Sequence, residues 1–424
     1  MPGAVSAERE ARAAAARLRE AGAALRRRER GEVIAVLGTL LEALRDPASA
    51  LRVRLAAELP AASGFHPATL AAGLDAGFAP WTASAFARLA ARELESVPAR
   101  VASGFPLTAV VLGGAIPMPS ALQILAALAL QSPVLVRPGA HDPVTARALA
   151  SELARLDPEL ARCVEVVSFA HSDAAALAAL AEADCVVATG SDDTVAAIAA
   201  RTRPWQRFVG YGHRFSVAAL GRDGDLANEC SALARDVALW DQLGCLSPLA
   251  VYAVGWRWEE RASLLRELES AFAEKAKRWP LGRVAGADSA RRANELATFE
   301  MRAAGGDDAE MRRDATPGGP GWALLAERDP AFRGSPLYRA LRVHFVPSGA
   351  GVTASLAPVA RHLASVGLGG FSRGAEAALA RDFALLGASR ICPLGEMQSP
   401  PIDWCHDGQG VLLPLARLTD FSQK

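Results

Sequence analysis

Apolar positions recur at helical spacing through residues 1–100. The stretch "EVIAVLGTLLEALRD" carries apolar residues three and four apart, and "PATLAAGLDAG" repeats the pattern and stops at glycine. Leu and Ala dominate and β-branched runs are rare, so the spacing predicts a helical N-terminal region. The pattern changes at Thr108. "TAVVLGG" is a short, continuously apolar run, followed by helical "MPSALQILAALALQ". The alternation then repeats: "PVLVRP", "DPVTARALASELARL", "CVEVVSF", "SDAAALAALAEA", "DCVVATG" and "DDTVAAIAART". Short apolar runs alternating with helices of about ten residues or more predict right-handed βαβ units. Strands apolar on both faces imply a parallel sheet covered by helices on both sides. The class is therefore α/β, in outline a doubly wound nucleotide-binding architecture.

A second alternation follows. "DLANECSALARDVALW" reads as a helix, "LAVYAVG" as a strand, and "EERASLLRELESAFAEKAKRW" as a long helix. "LRVHFVP" and "AEAALARDFALLG" supply a further strand and helix. Between them, "AAGGDDAEMRRDATPGGPG" lacks apolar periodicity and is expected to be a long loop or lid. These patterns divide the chain into a helical region at 1–100, a nucleotide-cofactor-binding domain at 101–240 and a catalytic domain at 241–395. A tail at 396–424 is expected to return to the cofactor domain or to an oligomer interface.

Composition narrows the function classes. Lys+Arg and Asp+Glu both number 46, so no overall field draws in nucleic acid or an acidic membrane. Six cysteines without regular spacing do not form a disulfide framework, and a reducing cytoplasm is the expected location. The most apolar run, "SALQILAALALQSPVLV", contains two glutamines and a proline and reads as a buried helix and strand, not an integral membrane segment. The acidic residues of "AEREARAAAARLREAGAALRRRER" argue against a transit peptide and favour a surface helix.

Four places carry candidate chemistry. Cys245 in "WDQLGCLSP" follows a glycine just beyond a helix, where a chain presents a side chain, although a small core hydrophobe fits the same position. Thr189-Gly190-Ser191 ends one strand and opens a helix, so the turn suits a cofactor pyrophosphate. Ser191 or Asp192 as an ordinary N-cap explains that turn too. Arg137 ends a strand on the edge where α/β sheets meet ligands, and a ribose hydroxyl or 2′-phosphate is a plausible partner. His213 in "GYGHRFS" is a candidate general acid or base. Cys405-His406-Asp407 has no paired ligand spacing, and zinc is rejected.

In order, "VLGGAIP", "SPVLVRPGAHDPVTARAL", "VVATGSDDTVAAI", "YGHRFSVAAL" and "DQLGCLSP" resemble successive motifs of the aldehyde dehydrogenase superfamily. They are most similar to its acyl-CoA reductase branch, the LuxC-type fatty-acid reductases. The resemblance implies a Rossmann-type cofactor domain beside an α/β catalytic domain, with Cys245 as nucleophile between them. It implies that Arg137 replaces a lysine at the adenosine ribose. Thr189, Gly190, Ser191 and Gly113 would lie along the cofactor, with Glu396 at the nicotinamide ribose. Two departures bear on the reaction. The glutamate that activates water in aldehyde dehydrogenases is absent, since "GYGHRFS" stands in its place, and this favours thioester reduction over aldehyde oxidation. The asparagine that helps hold the oxyanion is replaced within Gly113-Gly114-Ala115-Ile116.

The implied enzyme reduces an acyl-CoA or acyl-carrier thioester to an aldehyde with NADPH, or NADH, through an acyl group on Cys245. Apolar residues around Trp240 and Trp404 are candidates for an acyl pocket and equally for core, and a homo-oligomer is implied. The alternative is a catalytically weak scaffold that binds an acyl chain.

Overall fold

The computed structural model describes residues 6–95, 100–306, 308–315 and 321–420. Its fourteen strands form three sheets. A two-stranded antiparallel ladder pairs β1 (Arg100–Ser103) with the tail strand β14 (Arg417–Asp420). The five-stranded sheet contains β2 (Thr108–Val111), β3 (Val134–Arg137), β4 (Val164–Val166), β5 (Cys185–Thr189) and β6 (Arg207–Tyr211). They run parallel in the order β4-β3-β2-β5-β6. The seven-stranded sheet contains β7 (Phe215–Leu220), β8 (Pro248–Val254), β9 (Ala309–Arg313) and β10 (Ala323–Glu327). Strands β11 (Ala340–Val346), β12 (Leu363–Gly369) and β13 (Arg390–Pro393) complete it, in the order β13-β12-β7-β8-β11-β10-β9.

Side chains of the five-stranded sheet alternate between two cores, as the two-residue strand period requires. Val110, Cys185 and Val187 face one cluster, while Ala109, Val186 and Ala188 face the other. The first cluster joins the helix Pro117–Ala129 to the N-terminal helices through Leu37, Leu41 and Phe78. That helix is covered on nearly every side, which explains its unbroken apolar sequence. The second cluster receives the helix Ala7–Leu25, whose Ala14 and Leu18 are fully buried. Its outward arginines pair with Glu182, Glu165 and Asp184 beyond the sheet edge.

Two expectations change. The strand "FSVAAL" was assigned to the cofactor domain, with a boundary at 240. It pairs instead with β8 and β12, so the changeover between sheets falls at 212–214. A fully buried parallel strand has the same apolar pattern in either sheet, and periodicity cannot tell which one it joins. The 303–321 stretch, expected to be one long loop, contains β9, an antiparallel edge strand. Its polar residues fit an edge where one face meets water; residues 307 and 316–320 lie outside the described residues. The tail returns to the cofactor side through β14, and Val411, Leu412 and Leu415 enter the first cluster.

The helix Leu226–Ala238 leads into three residues with left-handed backbone, Trp240, Asp241 and Gln242 at φ 59°, 50° and 63°. Each non-glycine residue held there costs on the order of 1–3 kcal/mol, so the neighbours must fix it. Asp241 accepts from Arg339 Nε at 2.9 Å and from the Gly282 N–H at 3.0 Å. Arg339, 1 % exposed, also donates to the Trp279 carbonyl at 2.5 Å. Gln242 Nε2 donates to the Pro248 carbonyl at 2.9 Å. The Trp240 indole lies on Gly73, where an added Cβ would sit 2.7 Å from the ring.

Removing one member of this buried pair strands the other charge. Asp241→Ala is expected to lower unfolding free energy by about 3–5 kcal/mol in denaturant titration. Adding Arg339→Met is expected to recover part of that loss, and an Asp241→Ala variant as stable as the parent would contradict the account.

Candidate active site

The left-handed reversal aims the chain at Cys245. Its carbonyl accepts from the Ser216 hydroxyl at 2.7 Å, and the Ser247 N–H closes a turn onto the Gly244 carbonyl at 2.9 Å. Gln398 Nε2 reaches across from the tail to Ser247 Oγ at 3.3 Å and to the Asp236 carbonyl at 3.1 Å. Asp236 in turn accepts the N–H groups of Gly395 at 2.6 Å and Met397 at 3.1 Å. Its burial pushes its carboxyl up to about 7, against the pull of those donors. A buried carboxyl thus fixes the tail turn beside the cysteine loop.

Cys245 is exposed, at a narrow cleft of about 90 Å³. Protein atoms crowd the thiol and withhold most of its hydration, which pushes it up to about 11. Asp407 adds to the rise, while Arg214 and the N–H groups of Cys245 and Leu246 oppose it. The cleft walls are mainly apolar: Trp81, Ile116, Met118, Pro119, Leu122, Trp240, Leu246, Pro400 and Trp404. Gln123, Thr189, Gln398 and His406 add polar atoms, and no carboxylate lines the cleft among the described residues. An apolar lining of this kind is suited to hydrocarbon beside the cysteine.

One end of the cleft meets the five-stranded sheet. From β2 the chain runs outward through β3 and β4, then returns to the opposite side with β5 and β6. The carboxyl ends of β2 and β5 therefore form the topological switch point where open α/β sheets bind ligands. There the Gly113 N–H donates to Thr189 Oγ1 at 2.9 Å, and Thr189 also lines the Cys245 cleft. A Cβ on Gly113 would sit 2.8 Å from the Thr189 carbonyl, and one on Gly139 would sit 2.8 Å from that of Gly114. Glycine lets these backbone segments pack closely against one another.

The structure brings together Cys245, Thr189 and Gly113. Gly190 and Ser191 follow Thr189, and Ser191 caps the helix Asp192–Ala199 by accepting from the Thr194 N–H. Arg137 ends β3 with its guanidinium 5.8 Å from the Phe169 ring centre and donates to the Phe169 carbonyl at 3.4 Å. Burial lowers its pKa. His213 is not among the residues lining the cleft: its backbone N–H donates to Asp192 at 2.7 Å and its ring lies 6.1 Å from that of His362. Glu396 is exposed on the turn held by Asp236, two residues before cleft-lining Gln398. At the position expected to lack an oxyanion asparagine, Ile116 lies against Gly244 and lines the cleft. Trp240 and Trp404 both line the cleft, and Trp240 is also fully buried. Sequence reasoning missed Trp81, Met118, Leu122, Gln398 and His406 as wall residues. The apolar ones looked like core, and His406 was weighed only as a metal ligand.

A model of the family described as Acyl-CoA reductase (LuxC) matches residues 96–420. The chain belongs to the LuxC acyl-CoA reductase family. Among curated relatives, a long-chain acyl-protein thioester reductase of Photorhabdus laumondii is 26% identical over 163 residues, which are 37% of this chain and 34% of the relative. That of Aliivibrio fischeri is 24% identical over 240 residues, 56% of this chain and 48% of the relative. The chain thus matches between about a third and a half of the length of these relatives. Solved structures share the aldehyde dehydrogenase-like fold of this LuxC-family chain. An oxidoreductase from Marinobacter aquaeolei superposes with TM-score 0.76 at 13% identity, over 97% of this chain and 90% of the other. An NADP-dependent glyceraldehyde-3-phosphate dehydrogenase from Bacillus halodurans, complexed with NADP, gives 0.74 at 12% identity, over 98% and 92%.

Because the Cys245 thiol holds its proton at neutral pH, its alkylation by iodoacetamide should quicken about tenfold per pH unit from about pH 7 to 10. Mass spectrometry of the Cys245 peptide checks this; a plateau near about pH 8.5 would mark an unperturbed thiol.

Proposed function

We propose that the protein reduces an acyl thioester, on coenzyme A or an acyl carrier, to the aldehyde, using NADPH or NADH and a covalent acyl group on Cys245. The observation that carries this reading is one cysteine at the meeting of an apolar cleft and a sheet switch point. Family membership agrees with it.

The apolar walls take up the acyl chain, and the cysteine end of the cleft places its carbonyl beside Cys245. The N–H groups of Cys245 and Leu246, which act on the sulfur, are the nearest donors for the oxyanion once the S–C bond forms. They stand in for the asparagine replaced near Ile116. Attack by sulfur expels the carrier thiol and leaves acyl-Cys245. No cleft-lining carboxylate is present among the described residues to activate water, so hydrolysis of that thioester is disfavoured.

Beside the switch point Gly114 has open space and Gly190 meets only Thr194, which suits the backbone-close approach of a dinucleotide. When bound there, the nicotinamide supplies hydride to the acyl carbon. Thr189, Gly190, Ser191 and Gly113 would hold the cofactor along the switch point, and Glu396 would face its nicotinamide ribose. Arg137 at the end of β3 offers its charge to a 2′-phosphate, which favours NADPH. The arrangement needs no nucleic acid. No described helix is long and apolar enough to cross a membrane.

Absorbance at 340 nm with a panel of acyl-CoAs and both reduced nucleotides tests the reading. Cys245→Ala should reduce aldehyde formation by at least about a thousandfold; turnover at the parent rate would end the acyl-cysteine mechanism. A stable acyl-enzyme that added NADPH leaves untouched would instead favour an acyl-binding scaffold. Arg137→Ala should raise KM for NADPH about tenfold or more while leaving that for NADH nearly unchanged; equal changes would remove the 2′-phosphate assignment.

A further inference from the structure

The acyl-transfer reading leaves one proton without a carrier. Cys245 rests as a thiol, and the carrier's sulfur must leave as one. His213, the residue expected to move protons, does not line the cleft, and its ring lies 6.1 Å from that of His362. The cleft contains another imidazole. His406 lines the same space as Cys245, stacked on Tyr211 with ring centres 4.6 Å apart and flanked by Trp404 at 4.9 Å. Burial lowers its pKa, which leaves the ring neutral and able to accept a proton at neutral pH.

The next residue supplies the countercharge. Asp407 has left-handed backbone at φ 52°, followed by Gly408 at 74°. Its side chain is 4 % exposed, and neither carboxylate oxygen accepts a hydrogen bond among the described residues. Its ion-pair partner is Arg214, Nε to Oδ1 3.2 Å, from the link between the two sheets. A buried carboxylate without hydrogen bonds is costly unless its charge is used. Here it raises the proton affinity of both His406 and Cys245, while Arg214 lowers both. The charged groups acting on His406 are Asp407 and Arg214, the Tyr211 ring stacks on it, and Cys245 lines the same cleft.

We propose that His406, backed by the Asp407–Arg214 ion pair, carries the proton between Cys245 and the thiol of the departing acyl carrier. The proposal rests on the acyl-thioester reading. In the first step the Cys245 S–H proton passes to a ring nitrogen of His406 as the sulfur pair forms the S–C bond to the acyl carbonyl. The tetrahedral adduct then collapses, the bond from carbon to the carrier sulfur breaks, and that sulfur takes the proton from the imidazolium. His406 is neutral again beside acyl-Cys245. After hydride addition, the alkoxide re-forms C=O and breaks the C–S bond to Cys245. His406 returns to the thiolate one proton drawn from solvent, so each turnover consumes one hydride and one proton. Asp407 is a positioning residue, acting through the imidazolium it stabilises.

The full-length protein is mixed with acyl-CoA without nucleotide, and acyl-enzyme formation is followed by intact mass from pH 6 to 10. His406→Ala should acylate about 10²–10⁴ times more slowly at pH 7. It should regain rate as pH rises and on addition of free imidazole, neither of which repairs a merely structural defect. Asp407→Asn should slow acylation about tenfold or more, since an adjacent charge is worth about 1–3 pKa units. Parent-like rates in His406→Ala, or a loss that neither alkali nor imidazole restores, overturn the proposal. If His406→Ala loses the near-ultraviolet dichroism of the parent, the near-isosteric Asp407→Asn decides alone. Parent protein that stays unacylated, or Cys245→Ala acylated as fast as the parent, overturns the acyl-cysteine reading itself and the proposal with it. Parent acylation at Cys245 with unaffected His406 and Asp407 variants overturns only the proposal.

Discussion

The buried ion pair of Asp241 and Arg339 holds the geometry of the site. Three successive residues in left-handed backbone turn the chain from the helix Leu226–Ala238 toward the cysteine loop, and the sequence offers no glycine among them. Aspartate tolerates that conformation better than Trp or Gln. Its carboxylate is answered by a guanidinium from the residue before β11, which also grips the Trp279 carbonyl. Trp240, fixed at the same reversal, presents one side to Phe65 and Gly73 of the N-terminal helices and another to the cleft. The N-terminal helices therefore set the acyl wall as well as covering the sheet.

Thr189 couples the two halves of the proposed reaction. Its hydroxyl accepts the Gly113 N–H at the sheet switch point, and its side chain borders the cleft of Cys245. A ligand over the crevice and a chain in the cleft would meet at this residue. The link between the sheets is similarly shared. Asp192 at a helix start takes the His213 N–H, and Arg214 beside it pairs with Asp407 of the tail. Charges from two remote segments, Arg214 and Asp407, thus act on one thiol.

Much of this was readable from residue order. Strands β2, β3 and β5 of the five-stranded sheet stood out because they are buried, almost unbroken apolar runs. Cys245 stood out because glycine and proline flank it on a loop. The assignment of β7 to a sheet did not, because pairing partners leave no local trace. Strand β9 carries Glu310, Arg312 and Arg313, as an edge tolerates, and reads as loop. Strand β12 contains Gly367 and Gly369, which weaken a strand pattern, yet Gly367 lies where a Cβ would meet Met397 Sδ at 2.6 Å. The tail wall was hidden for another reason. Residues 395–407 have no periodicity, and their position depends on long-range acceptors such as Asp236.

The cleft is closed by chain that is made long after its nucleophile. The hydrogen bond from Gln398 to Ser247 spans 151 positions, and Pro400, Trp404 and His406 follow it. Domains generally organise from the N-terminal side during synthesis, so the growing polypeptide carries its sulfur before the lining that would seat a fatty chain exists. A nascent chain that has not yet released its tail would accordingly lack the wall of Pro400, Trp404 and His406.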